Sequence, residues 1–234
     1  MAKKQFYMVI DCESTIKDHC ADIACVIVDK TGKIYNQMAV LVNDFYGREK
    51  LFFDEKADNL WSLQGLARRE ENYARMLESG ARQLASVASV NRWLDRAIQL
   101  YPQIKICAYN LAFDARILKN SGILLENFPD RFCLWSAFIG NFANGNEYKA
   151  FCLENHYFSN RTKKTGAITM RSNAECAAHF ITGSFAEEPH DALGDVLGFE
   201  IPILVGILKR RGWRERLKPF NYQELQLRDN FRVK

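Results

Sequence analysis

The stretch that decides the fold reads FYMVIDCE and occupies residues 6–13. It opens with Phe6 to Ile10, apolar strand formers without polar alternation, which predict a central strand covered on both faces of a sheet. The carboxylates of Asp11 and Glu13 follow at the end of that strand. Because side chains alternate along a strand, both carboxylates leave one face and Cys12 leaves the other. Two such charges are costly to bury unless they are paired or bind a cation.

Further strands are predicted on both sides of this one. The apolar runs Ile23 to Val28 and Ile34 to Val42 flank a turn at residues 29–32, and their short connections predict an antiparallel meander. Ile104 to Ala108 and Phe132 to Trp135 predict a fourth and a fifth strand with a helix between them, an order that implies a parallel crossover. We therefore expect an α/β fold with a mixed five-stranded sheet, antiparallel through strands 1-2-3, parallel through strands 1-4-5, and flanked by helices.

The chain is expected to form a single domain over residues 1–234, because 234 residues are too few to make two full domains the default. Leucines at helical spacing predict a helical insertion over about residues 58–100. Polar and basic composition predicts a variable loop region over about residues 140–170. A last helix is expected over about residues 191–211, with Pro202 kinking or breaking it.

Composition leaves the type of partner open and favours a cytoplasmic protein. The formal net charge of +4 permits an anionic partner without requiring one. Seven cysteines with no CxxC pair, and an N-terminus unlike a signal peptide, indicate reduced thiols and a cytoplasmic location. Ile201 to Leu208 is far shorter than the roughly 20 apolar residues that span a bilayer, so no membrane partner is expected. The oligomeric state stays open, with a homodimer among the alternatives.

Two further motifs follow the first pair of carboxylates. Asn110 directly follows the fourth predicted strand, where it is expected to cap a helix whose first turn contains Asp114. His190 and Asp195 stand five residues apart at the start of the last helix. Five residues of α-helix end about 140° out of alignment, so the two side chains cannot both project inward from one helical face. This spacing predicts His190 before the helix, as a mobile general base, and Asp195 inside it, as a fixed metal ligand.

The order of the three motifs matters more than any one of them. Singly, they also fit a strand-end pair facing water, a helix-start acid and a surface histidine. Together they place four carboxylates that would repel one another without cations, and carboxylates suit Mg²⁺ and Mn²⁺. We expect two such ions. One would be held by Asp11, Glu13 and Asp195, and the other by Asp11 and a substrate phosphate, with Asp114 acting directly or through water. His190 would deprotonate the attacking water.

Three segments resemble the motifs of the DEDDh exonucleases: IDCEST at 10–15, YNLAFD at 109–114 and HDALGD at 190–195. This family includes proofreading exonuclease subunits and oligoribonuclease- and ribonuclease T-like enzymes. The resemblance implies an RNase H-like sheet, two Mg²⁺ or Mn²⁺ ions, and release of nucleoside 5′-monophosphates from the 3′ end of DNA or RNA. The substrate-binding residues that it implies are Ser14, Thr15, Asn110 and Phe113.

His190 places the resemblance in the histidine branch of the family. The tyrosine branch would have Tyr three or four residues before Asp195, where this chain has Asp191 and Ala192. The expected partner is a single-stranded or 3′-ended nucleic acid. Two alternatives stay open. The histidine base argues against an RNase H-like endonuclease, and the presence of all five motif residues argues against a non-catalytic nucleic-acid-binding module.

Weaker signals accompany the motifs, and each also has a plain structural explanation. Four residues have spacings that a zinc site could use: Cys152, His156, Cys176 and His179. Two basic segments could contact a phosphate backbone or be solvated faces: residues 161–164 and 209–218. Three aromatic residues could stack on bases or belong to the core: Trp135, Tyr148 and Trp213. The spacing Asn-x-x-x-Asp recurs at Asn91 and Asp95, but inside a helical pattern and not after a strand.

Overall fold

The main sheet is built around the strand that contains Asp11 and Glu13. The structure is a computed structural model and describes residues 4–57, 59–159, 168–217 and 225–227. Within these residues the sheet has six strands: β1 (Phe6–Ser14), β2 (Cys20–Asp29), β3 (Ile34–Val42), β4 (Gln83–Ala85), β5 (Lys105–Ala108) and β6 (Arg131–Cys133). Their order across the sheet is β4-β3-β2-β1-β5-β6.

The strand directions confirm the mixed α/β sheet that the sequence predicts. β1 pairs antiparallel with β2, and β2 pairs antiparallel with β3. On the other side β1 pairs parallel with β5, and β5 pairs parallel with β6. One strand was not predicted: β4 pairs parallel with β3 at the edge of the sheet. It lies inside the region whose leucine spacing predicts helix, so that region is not helical throughout.

Helices cover the sheet and contribute to its two hydrophobic cores. In the described residues they are α1 (Leu63–Glu78), α2 (Val87–Leu100), α3 (Leu111–Asn120), α4 (Leu134–Phe138), α5 (Asn146–Glu154), α6 (Ala174–Thr182), α7 (Ala192–Asp195) and α8 (Ile201–Leu208). Two π-helical turns span Ile139–Ala143 and Val196–Glu200, and a 3₁₀ turn spans Arg214–Arg216. A separate hairpin pairs β7 (Phe158–Ser159) with β8 (Thr169–Met170).

The central strand is covered on both faces, as its uninterrupted apolar run predicts. Tyr7 and Val9 belong to one core, which includes residues of α4, α6 and α8. Met8 and Ile10 belong to the other, which includes residues of α2 and α3. Cys12 also belongs to the second core. Because side chains alternate along the strand, Asp11 and Glu13 project from the opposite face, which the segment from α6 to α8 covers.

Two boundaries differ from the prediction for physical reasons. The fifth predicted strand, Phe132 to Trp135, ends early because α4 begins at Leu134 and buries Leu134, Ala137 and Phe138 at helical spacing. The expected last helix is interrupted by the π turn Val196–Glu200, which ends just before Pro202 enters the first turn of α8. Proline has no N–H and clashes with the carbonyl four residues earlier, so a regular α-helix cannot run through it undisturbed.

The described part of residues 140–170 is more ordered than its polar composition suggests. It contains α5 and the β7–β8 hairpin. Tyr148 and Cys152 are fully buried and lie one helical turn apart, so α5 packs one face on the core. The basic loop at residues 161–164 falls outside the described residues. No helix among the described residues is both long and apolar enough to cross a membrane.

Candidate active site

Asp11 and Glu13 lie side by side at the carboxyl end of β1, on the face that the alternation predicts. Glu13 is 9% exposed. Burial raises the pKa of Asp11 well above its usual value, and the charges of Glu200, Asp114 and Glu13 raise it further. Burial also raises the pKa of Glu13, together with the charge of Asp195. Several carboxylates therefore converge here in a setting that disfavours their ionised forms unless a cation is present.

Asp114 reaches this end of β1 from the first turn of α3. Asn110 occupies the N-cap position as predicted, but its side chain makes no capping hydrogen bond. Instead its backbone is left-handed, with φ of 75°, a conformation that asparagine tolerates better than most residues. Asp114 is buried, and its Oδ1 accepts a hydrogen bond from the thiol of Cys12 at 3.4 Å. Burial raises the pKa of Asp114 to about 7.

His190 and Asp195 are separated as their spacing predicts. His190 precedes the helix, with a left-handed φ of 53°, and Asp195 is the last residue of α7. The imidazole of His190 packs edge-on against Trp61, with ring centroids 4.9 Å apart. Burial lowers the pKa of His190 below its usual value. Burial, followed by the charge of Glu188, raises the pKa of Asp195 to about 8.

A buried ionic network holds the start of α7 in place. Asp191 caps the helix by accepting the N–H of Gly194 at 3.0 Å, and Arg82 donates to the same carboxylate. Arg82 also pairs with Asp22 on β2, at 3.4 Å from Nε to Oδ1. Asp22 in turn accepts the N–H of Ala192 at 3.0 Å. Sequence reasoning missed this network, although an Asp directly before a helix is a capping signal.

Four of the five motif residues line one cavity of about 890 Å³: Asp11, Glu13, His190 and Asp195. Among the described residues, the group of His, Cys, Asp and Glu side chains that could hold a metal ion is Glu13, His190 and Asp195, whose ligand atoms all lie within 4.8 Å of one another. Four carboxylate oxygens of the motif residues and Glu200 are buried without a hydrogen-bond partner in the described part of the chain: Asp11 Oδ2, Asp114 Oδ2, Asp195 Oδ1 and Glu200 Oε2. Hard divalent cations fit such a set of oxygens.

The predicted substrate residues do not all reach the cavity. Ser14, Asn110 and Phe113 line it, and the ring of Phe113 is 37% exposed. Thr15 is fully buried, and its hydroxyl donates to Glu49 Oε2 at 2.7 Å. The side chain of Thr15 therefore holds the neighbouring loop, and a contact between Thr15 and a substrate stays a prediction.

Residues before and within the helical insertion also build this site. Phe52 and Trp61 line the cavity, and their rings contact each other. Arg69 on α1 is buried, lies over the ring of Trp61 and donates to the carbonyl oxygen of Phe52. Its positive charge lowers the pKa of Glu13, against the larger effect of burial. No motif marks these residues, so only tertiary packing brings them to the cavity.

A second missed residue is Glu200, at the end of the π turn that follows Asp195. It lines the cavity, is 2% exposed, and its Oε1 accepts the N–H of Tyr109 at 2.8 Å. The sequence carries one signal for it: Glu200 is the single acid in the otherwise apolar run from Val196 to Leu208. A buried acid in such a run needs a partner.

The structure does not assemble the four residues whose spacing suggested zinc. Cys152 and Cys176 are buried thiols. The ring of His179 hydrogen-bonds the hydroxyl of Tyr157, with 2.9 Å between Nδ1 and the oxygen. Among the described residues these four do not belong to a group that could hold a metal ion.

The other residues with weak functional signals lie partly at the cavity and partly elsewhere in the molecule. Trp135 lines the cavity and stacks on Tyr109. Tyr148 is a core residue, and Trp213 packs on Phe132. In the C-terminal basic segment, Arg214 pairs with Asp130, and Lys218 lies outside the described residues.

Comparison with solved structures finds distant similarities, among them two complexes of exonuclease I. No protein-family model matches the sequence, and no curated protein matches it. E. coli exonuclease I in complex with a 5cy-dT13 oligonucleotide is 15% identical, with a TM-score of 0.49, over 91% of this chain and 42% of that one. Exonuclease I in complex with inhibitor BCBP is 12% identical, with a TM-score of 0.44, over 92% and 43%. This chain thus spans about two fifths of the length of those chains.

Proposed function

We propose that this chain is a divalent-metal-dependent exonuclease that hydrolyses DNA or RNA from the 3′ end and releases nucleoside 5′-monophosphates. One observation carries the proposal: the ligand atoms of Glu13, His190 and Asp195 lie within 4.8 Å of one another at the end of the central strand. These residues come from opposite ends of the sequence. Buried carboxylates can bind divalent cations, and a histidine beside them can accept a proton from the attacking water.

The carboxylates supply the cation sites. Asp11, Glu13, Asp114 and Asp195 would hold two Mg²⁺ or Mn²⁺ ions, and the fit is supported by buried oxygens that lack protein partners in the described residues. When bound, the cations supply positive charge that offsets the negative charge developing on the phosphodiester during hydrolysis.

His190 is placed to accept the proton of the attacking water. It lines the cavity and lies outside the regular helix, so its side chain is not constrained to the direction that Asp195 takes. A general base must be neutral to accept a proton. Burial lowers the pKa of His190, and this effect keeps the imidazole neutral at pH 7.

The walls of the cavity suit an unpaired strand end. Phe52 is 42% exposed and Phe113 is 37% exposed, and both line the cavity together with Trp61. Exposed aromatic rings stack on bases of any sequence, typically for about 1–3 kcal/mol per base. Bases in a duplex are already stacked on their neighbours, so these walls favour a single strand or a frayed 3′ end.

The decisive experiment uses oligonucleotides labelled at either end, as DNA and as RNA, with Mg²⁺ or Mn²⁺. A 3′-labelled substrate should release labelled mononucleotide from the start, and a 5′-labelled one should shorten one nucleotide at a time. Internal fragments would instead indicate an endonuclease. Binding without cleavage would indicate a nucleic-acid-binding module.

A matched pair of substitutions tests the site. Asp11→Asn should abolish hydrolysis. Asp95→Asn changes an exposed acid in the repeated Asn-x-x-x-Asp spacing on α2 and should leave hydrolysis unchanged. Full activity in the Asp11 variant would refute the assignment.

A further inference from the structure

We propose that Glu200 is a fifth carboxylate of the metal centre, whose Oε2 ligates the cation beside Asp11 and Asp114 while its Oε1 remains on the N–H of Tyr109. This inference rests on the proposed function and deepens it. It changes the expected coordination of the second cation. Oxygens from three protein residues would ligate that ion before a substrate phosphate binds.

The first support is the state of the Glu200 side chain. It is 2% exposed, and its two oxygens differ: Oε1 accepts the N–H of Tyr109 at 2.8 Å, whereas Oε2 is buried without a hydrogen-bond partner in the described residues. The two buried arginines near the site are engaged elsewhere, Arg69 with Phe52 and Arg82 with Asp191. A buried carboxylate oxygen without a partner is costly unless a cation completes it.

The second support is the set of charges around Glu200. Among charged neighbours, Glu200 contributes most to raising the pKa of Asp11, and Asp114 contributes most to raising that of Glu200. Asp11 and Glu200 also line the same cavity, and one oxygen of each of the three carboxylates is buried without a hydrogen-bond partner in the described residues. We assign these three carboxylates to one cation, and Glu13 and Asp195, whose ligand atoms lie within 4.8 Å of each other, to the other.

The third support is the π turn Val196–Glu200. Glu200 lies five residues after Asp195. In an α-helix this spacing leaves two side chains about 140° out of alignment. A π turn has i→i+5 hydrogen bonds, which bring residues five apart close to alignment, and such turns are frequent at functional sites. Both Asp195 and Glu200 line the cavity in consequence.

The same contact links the cation to the connection between β5 and α3. Tyr109 directly precedes Asn110, whose left-handed backbone turns the chain into the helix that carries Asp114. By accepting the N–H of Tyr109, Glu200 ties this turn to the π turn. One side chain would thus supply a ligand and fix the segment that supplies a second ligand.

Counting bound Mn²⁺ tests the proposal without relying on activity. The full chain is titrated with Mn²⁺ in the absence of nucleic acid, and free Mn²⁺ is followed by electron paramagnetic resonance. Wild type should bind two ions per chain. Glu200→Gln keeps an oxygen for the N–H of Tyr109 but removes the charge, and it should lose one ion or bind it at least about tenfold more weakly. Glu154→Gln, an exposed acid on α5, is the matched control and should bind as wild type does.

A second variant separates ligation from simple charge. Glu200→Asp keeps the charge but is one methylene shorter, so it cannot reach both the N–H and the cation, and it should also lose the second ion. If both Glu200 variants bind two ions with wild-type affinity while wild type degrades nucleic acid, the role of Glu200 is refuted and the proposed function stands. If wild type neither binds Mn²⁺ nor cleaves, both are refuted.

Discussion

At Asp195, the proposed cation binding and the stability of the fold oppose each other. Burial and the charge of Glu188 raise the pKa of its carboxyl to about 8, and its Oδ1 is buried without a partner in the described residues. An ionised Asp195 is thus unfavourable in the folded, cation-free protein and becomes favourable only when a cation is bound.

Asp195→Asn should therefore abolish hydrolysis and yet stabilise the cation-free protein. At pH 8 in EDTA we expect its melting temperature to rise by several degrees, since 1 kcal/mol corresponds to roughly 2–4 °C for a chain of this size. Scanning fluorimetry provides the measurement, with Asp95→Asn as the unaffected control. A lower melting temperature for the Asp195 variant would contradict this account.

His190 is expected to be a base and not an obligatory ligand. Its ring lies close enough to Glu13 and Asp195 for either role, so kinetics must separate them. His190→Gln should lower kcat by about 10²–10⁴-fold, the usual contribution of a general base. KM and the number of Mn²⁺ ions bound should not change. Loss of an ion from this variant would assign His190 to the metal centre instead.

The pH profile gives an independent check on His190. The base works in its neutral form, and burial lowers the pKa of His190 below 6.5. Activity of the wild type should thus rise as the pH increases through this lowered pKa and become level near neutrality. The Gln variant should lack this rise. An unchanged profile would mean that another group is titrating.

At the scale of elements, the start of α7 depends on an arginine from far along the chain. Arg82 lies directly before β4 and pairs with Asp22 on β2 and with Asp191, the cap of α7. All three side chains are buried. Removing the arginine would leave two buried carboxylates without their cation, which is far more costly than losing an exposed pair.

Arg82→Met is expected to lower the free energy of unfolding by about 3–5 kcal/mol, as for other buried ion pairs that lose one partner. Urea denaturation provides the measurement. Arg116→Met is the control, because Arg116 and Asp18 form an exposed pair, and such pairs contribute about 0–1 kcal/mol. Similar losses in both variants would show that the buried Arg82 network contributes no more to the free energy of unfolding than an exposed ion pair does.

At the scale of the molecule, the cluster of buried acids couples stability to pH and, under the proposed function, to cations. Raised pKa values are found for Asp11, Glu13, Asp114, Asp195 and Glu200. A carboxyl whose pKa is higher in the folded state binds its proton more tightly there. Its contribution to stability is complete below the unfolded pKa, near 4, and is lost as the pH rises through the folded value.

We therefore expect the melting temperature in EDTA to fall by at least about 5 °C between pH 5 and pH 8, given roughly 2–4 °C per kcal/mol for this size. The window follows from the pKa values of about 7 for Asp114 and about 8 for Asp195. Saturating Mg²⁺ should remove most of the fall, because a ligand that binds only the folded state stabilises it. A melting temperature that rises with pH in EDTA would refute this linkage.

Local sequence patterns determine the central strand, the face that its carboxylates take and the position of Asp195 inside a helix. The apolar run at Phe6 to Ile10 predicts a strand covered on both faces, and strand alternation predicts which face Asp11 and Glu13 take. Both features depend on the period of a strand, which operates over a few residues. The five-residue spacing of His190 and Asp195 likewise predicts that only Asp195 lies inside the helix, because helical rotation is also local.

Tertiary structure alone decides which other residues complete the site. Arg82, Trp61 and Arg69 have no local signal for their roles, because their partners are distant in sequence and meet only when α1, β4 and α7 pack together. Glu200 is a similar case: its spacing from Asp195 would direct it away from the cavity in a regular α-helix. The π turn before Pro202 instead directs Glu200 toward the cavity. Sequence periodicity thus determines the central strand and the placement of the motif carboxylates, whereas long-range packing and one irregular helical turn decide what surrounds them.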